Sequence, residues 1–142
     1  MKVIFAVIAA TLISASAFAD IAPSENPMDF GIASGALNSK VIRVKAGKTA
    51  YAVIGVDLVE PACNSTQAVI WVSDENLEGD AGGLAYNLGI QVSQVLGAKA
   101  QGDAVAITVR RNSVEDCSKS KTETYIVQYP GKGGALKTKK SN

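Results

Sequence analysis

Histidine is absent from the 142 residues, cysteine occurs twice, tryptophan once, and aromatic residues make up 6% of the chain. Without histidine, triads and imidazole-based acid–base catalysis are excluded, and so are histidine-bound metals. A lone cysteine pair is a poor zinc site, and no zinc signature or glycine-rich phosphate loop occurs. The acidic stretch with Asp74, Glu75, Glu78 and Asp80 lacks the twelve-residue calcium pattern with its terminal glutamate, and is read as a solvated turn that favours a helix start. We therefore expect no cofactor and no enzymatic activity. Net charge is scarce as well: 14 basic residues face 13 acidic ones, a formal +1, so nothing global draws the chain to nucleic acid. The interleaved aromatics that stack on single strands are scarce too.

The main apolar run lies at the start. Met1 to Ala19, MKVIFAVIAATLISASAFA, has a lysine at position 2, an apolar stretch, and then Ala17-Phe18-Ala19 with small residues at the first and third places. This is the pattern of a secretory signal peptide cut after Ala19. The run is shorter than the roughly 20 residues of a spanning helix, and no later segment is long and apolar enough to cross a bilayer. The expected product is a soluble, secreted or periplasmic protein of 123 residues, enough for one domain with one core. In an oxidising compartment its two cysteines, Cys63 and Cys117, should pair.

Alternating patterns mark the strands. In 40–45, Ile42 and Val44 share a face; Gly47 then sits in a short hairpin turn, and 49–59 alternates Tyr51, Val53 and Gly55 against Ala50, Ala52 and Ile54. A central strand, 67–73, sets Val69 and Trp71 against Ala68, Ile70 and Val72. Residues 104–111 carry Val105, Ile107 and Val109 on one face, and 123–129 carry Tyr125, Val127 and Tyr129. A weak strand is expected at 30–37, an arm at 20–29, and a disordered Gly/Lys tail at 131–142. Lys40, Arg43, Lys45 and Lys48 make a basic hairpin, with Arg110 and Arg111 nearby, which we read as charges that keep a sheet edge wet. Asn64-Ser65-Thr66 matches a glycosylation sequon, taken as a chance match.

Residues 80–102 fit a helical period: Ala81, Leu84, Ala85, Leu88, Val92, Val95 and Leu96 fall on one side at 100° per residue. Tyr86 and Ile90 then project opposite, with Ser93 and Gly97, and form a candidate subunit interface on the helix's outer face. Cys63 just before one strand and Cys117 just after another imply two antiparallel strands whose far ends the helix spans. The fold class expected is mainly β with one helix: a small Greek-key OB-like barrel over 20–130, or an α+β open antiparallel sheet with one packed helix.

The export signal, Cys63, the Trp71 strand, the Ala- and Leu-containing helix, Gly102-x-x-Val105-x-Ile107 and Asp116-Cys117 resemble a family of small exported bacterial proteins of unassigned function. Those are similar to the OB-fold B subunits of one-A-five-B toxins. The likeness covers Ala62 to Tyr129 and implies a ring of subunits with helices toward a pore, binding glycans through barrel loops. Two functions follow as expectations: a secreted binding module, oligomeric or not, for a glycan or protein; or an envelope protein of structural or inhibitory role with a protein partner.

Overall fold

A computed structural model of the chain describes residues 18–25, 40–57, 62–74 and 83–141. Most of the expected leader, the expected strand at 30–37 and most of the acidic turn lie outside the described residues. Within them are nine strands and no helix: β1 Ala19–Ile21, β2 Lys40–Ala46, β3 Thr49–Asp57, β4 Thr66–Asp74, β5 Leu84–Val92, β6 Gln94–Gln101, β7 Ala104–Asn112, β8 Ser120–Gln128 and β9 Leu136–Ser141. They form two antiparallel sheets, β2-β3-β4-β5 and β1-β9-β8-β7-β6. From β2 to β9, sequence neighbours pair in order within each sheet, not in the expected Greek-key order, and the sheets do not close into a barrel.

The expected helix is replaced by β5 and β6, and the cause lies in its own residues. Leu84, Tyr86, Leu88, Ile90 and Val92 alternate strictly with Ala85, Asn87, Gly89 and Gln91. Positions 84, 88 and 92 satisfy a helical face and a strand face equally, because four residues are close to one helical turn and also two strand repeats. Tyr86 and Ile90 decide between the two. The helical reading sends them outward, whereas Tyr86 is fully buried in the core and Ile90 packs against it. Gly89, at φ 66°, adopts a conformation that disfavours other residues, and its N–H donates to Asn87 Oδ1 at 2.8 Å. Here the ladder slips: β4 advances from Gln67 to Val69 while β5 runs from Asn87 to Gln91, a bulge that bends the strand.

One residue, Ser93, separates β5 from β6, so a nearly continuous strand leaves one sheet and enters the other. Its N–H donates to Arg110 O at 2.8 Å, and its hydroxyl donates to the same oxygen at 3.0 Å. Such a bend is how a strand turns a corner between packed sheets. The tight hairpins at Gly47 and Gly102, each at φ 60° in the first loop position, follow the two-residue turn that a glycine there allows.

The core lies between the sheets. Tyr51 and Val53, Ala68, Ile70 and Val72, Tyr86 and Leu88 from one sheet meet Val105, Ile107, Val109, Val127 and Leu136 from the other. Each large side chain buried here stabilises the fold by about 1.5–3 kcal/mol. The strand faces expected for β2, β3, β4, β7 and β8 are those observed. The tail differs from expectation: Leu136 is fully buried, and 136–141 forms β9 between β8 and β1. A single apolar residue, Leu136, together with backbone pairing to β8 outweighs the Gly/Lys composition that argued for disorder.

Candidate functional site

Cys63 and Cys117 are disulfide-bonded, with a Cα–Cα separation of 5.1 Å. The bridge does not staple two neighbouring strands of one sheet, as expected. It ties the residues before β4, in one sheet, to the loop after β7, in the other. Beside it, Asn64 Nδ2 donates to Asn112 O and Asn112 N–H donates to Asn64 Oδ1, both at 2.8 Å, and Asn112 Nδ2 donates to Cys63 O at 3.0 Å. Asn64 is buried, and its amide nitrogen, the atom a sequon glycan would need, is engaged in this clasp. The two sheets are thus pinned at one end by a covalent bond and three hydrogen bonds.

At this pinned end the inner faces of β7 and β8 turn from apolar to ionic. Arg111 continues the parity of Val105, Ile107 and Val109; Lys121 and Glu123 continue that of Tyr125 and Val127. Glu123 is the centre: its side chain is 3% exposed, and it accepts from Lys121 Nζ and Lys140 Nζ, both at 2.9 Å, and from Tyr125 Oη at 2.8 Å. Arg111 Nε lies 3.2 Å from Glu123 Oε2 as an ion pair, but without hydrogen-bond alignment, and Arg111 Nη2 donates to Tyr125 Oη at 2.9 Å. Burial pushes the Glu123 carboxyl up, but the bonds from Lys140, Lys121 and Tyr125 and the charge of Arg111 outweigh it and hold the group at about 2. Burial first, then the bond to Glu123, raises the Tyr125 phenol.

Of the three cations on this carboxylate, Arg111 and Lys121 also wall an open groove of about 1160 Å³, together with Ile90 and Gln91 of β5, Asn112 of β7 and Cys63 of the bridge. A second cavity of about 210 Å³ lies on the other side of Ile90, lined by Ala19, Leu88, Tyr125, Thr138, Lys139 and Lys140. Chemically this end can hold an anionic or hydrogen-bonding group against an apolar floor. It is poorly suited to proton abstraction, because a carboxylate at about 2 is a weak base at neutral pH. No group of three or more candidate metal ligands occurs among the described residues.

The residues expected to form an interface do not share a surface. Tyr86 is in the core, its hydroxyl donating to Gly134 O at 2.7 Å; Ile90 walls the groove; Ser93 is the bend; Gly97, on β6, has no atom within 4 Å of where a Cβ would stand. Their common face existed only on the helix. The basic hairpin of β2 and β3 is likewise separate from Arg110 and Arg111: its turn lies at the opposite end of the strands from the bridge. The Glu123 cluster was missed in the sequence, although the parities of 105–109 and 125–129, extended outward, would have exposed it. No helix among the described residues is long and apolar enough to cross a membrane. Comparison with protein-family models, with curated proteins and with solved structures finds no match to the chain.

Proposed function

We propose that the chain is an exported, non-enzymatic binding module that takes its ligand, a glycan or a protein segment, in the groove at the bridged end. The observation that carries this reading is the convergence of Arg111, Lys121 and Lys140 on the buried Glu123, with Arg111 and Lys121 walling the groove. Four ionic side chains held by one another, away from the bulk of the core, are pre-organised for recognition and cost little to order when a ligand arrives. The ring of helices implied by the likeness to toxin B subunits has no counterpart among the described residues, where 84–92 and 94–101 are strands, and a pore-lined ring is no part of the proposal.

The experiment is a glycan array probed with the mature protein and with the Arg111→Ala/Lys121→Ala variant. Binding to acidic glycans, weakened about tenfold or more in the variant, is expected. Binding that the variant leaves intact would place the site elsewhere. A blank array would favour the second reading, a protein partner, which one feature supports: Val114, 85% exposed, stands on the loop between β7 and the bridge, an apolar side chain presented on a fixed support.

A further inference from the structure

The expected cut after Ala19 falls inside the fold. Ala19 opens β1, pairs with Thr138 of β9, and faces the smaller cavity beside Leu88, Ile90 and Tyr125. Phe18, one residue earlier, stands on the other face, with Lys139 Nζ 4.5 Å from its ring centroid. The residues that follow have anchors of their own: Asp20 forms an ion pair with Lys137, Ile21 packs against the core, and Ser24 N–H donates to Ala85 O at 2.7 Å. This segment therefore fills the seam between β9 of one sheet and β5 of the other. A cut after Ala19 leaves the anchored part in place and removes the residue paired with Thr138 and the one beside Lys139, next to the smaller cavity.

We infer that removal of Phe18 and Ala19 on export opens a peptide-binding site in the β5–β9 seam, where an extended segment of a partner protein adds to β9 along Thr138–Ser141. The inference rests on the bridged-end groove being the binding face and on the cut after Ala19. The site continues that groove, since Ile90 walls both. Its occupant follows from what surrounds it. A strand paired with the freed edge of β9 supplies the main-chain hydrogen bonds that the leader gives up. Alternation turns one side chain inward at the place of Ala19, over the apolar walls Leu88, Ile90 and Tyr125, and the next inward one, two residues earlier, opposite Lys140. Lys140, Lys121 and Arg111 gather on Glu123, and the Lys140 side chain is half-exposed, so an Asp or Glu at that second position meets a cluster of cations. The partner segment is an extended acidic-x-apolar peptide.

The test uses the exported, processed protein and a form beginning at Ala17, which keeps Phe18 and Ala19, with the blocked peptide acetyl-Thr-Asp-Phe-Leu-amide as probe. Amide shifts at Thr138, Lys139 and Lys140, with methyl shifts at Leu88 and Ile90, should report binding to the processed chain and be about tenfold weaker or more in the longer form. Replacing the probe's Asp with Lys, or introducing Lys140→Ala, should weaken binding by a similar factor. Equal binding to both forms, shifts that avoid β9, absence of binding to both, or an exported N-terminus other than Asp20 would overturn the inference. All four leave the groove's recognition of glycans, read through Arg111 and Lys121, to stand or fall by itself.

Discussion

The two ends of the sandwich close the same core by opposite means. At the end away from the bridge three tyrosines seal it with neutral hydrogen bonds: Tyr51 Oη accepts from Tyr129 N–H at 3.0 Å, Tyr129 Oη accepts from Gly133 N–H, and Tyr86 Oη donates to Gly134 O at 2.7 Å. Tyr86 and Tyr129 pack with ring centroids 6.4 Å apart. At the bridged end there is a disulfide, an asparagine clasp and the ionic cluster on Glu123. Aromatic rings with a satisfied polar tip bury apolar area without burying a charge. Buried charges exact a desolvation cost and hold a fixed polar arrangement in return, which is useful where something must bind. The difference separates an end closed by neutral aromatic packing from an end held by a covalent bond and fixed charges, the end that the proposed function uses.

The largest way to disturb this contrast is to cut the bridge. Cys63 and Cys117 are 54 residues apart, and removing the crosslink by Cys63→Ala/Cys117→Ala should cost on the order of 4 kcal/mol in the chain-entropy account. Urea titration gives the total. Amide exchange locates it: protection should fall at Asn64 and 112–119 well before it falls around Tyr51 and Tyr129, and equal loss at both ends would contradict the division.

Next in size is Glu123. Its folded value of about 2 lies below its ordinary value of 4.5, so the unfolded chain takes up the proton first as pH falls. The contribution is therefore complete above about 4.5 and is lost as pH falls toward 2. After allowance for the solvent-exposed lysines, that contribution is on the order of 2 kcal/mol. Glu123→Gln should remove most of this acid-side slope from a plot of unfolding free energy against pH. A variant with the wild-type slope would assign the acid sensitivity to other carboxylates.

The smallest effect belongs to the neutral end. Tyr86→Phe loses the bond to Gly134 O and should cost about 1 kcal/mol. Its alkaline signature is more specific. Burial first, then the neighbouring Tyr129 and Tyr51, pushes the Tyr86 phenol up from 10.0 to about 12. The unfolded chain therefore loses its proton first, and stability drains away as pH rises from 10 toward 12. Thermal melts across that window should show a shallower decline for Tyr86→Phe, and identical declines would show that Tyr86 does not control it.

Much of the sheet structure was legible in the sequence, because strands with one face in the core display a period of two. Ile42 and Val44, Ile70 and Val72, Ile107 and Val109, and Tyr125 and Val127 all point where the pattern says. The segment 84–101 was misread where two periods coincide at every fourth residue, and its glycines, at 89 and 97, were the local evidence against a helix. The bridge was legible as a pair, but not as a link between sheets, because spacing along a chain does not reveal which sheet each strand joins. β9 was hidden by composition: its stability comes from backbone pairing with β8 and from Leu136, neither visible in a Gly/Lys-rich stretch. The ionic cluster is invisible to hydrophobic patterning because it begins where the apolar residues of each strand face stop. Arg111, Lys121 and Glu123 keep the same parity two or four residues further on.

The most direct test of the ionic end is the titration of Glu123 itself. The 13C shift of its carboxyl carbon, followed in the intact, disulfide-bonded protein from neutral pH downward, should turn over near pH 2. A transition near its ordinary value of 4.5 would mean that Arg111, Lys121 and Lys140 do not grip this carboxylate, and that the bridged end lacks the organised charge on which the proposed function depends.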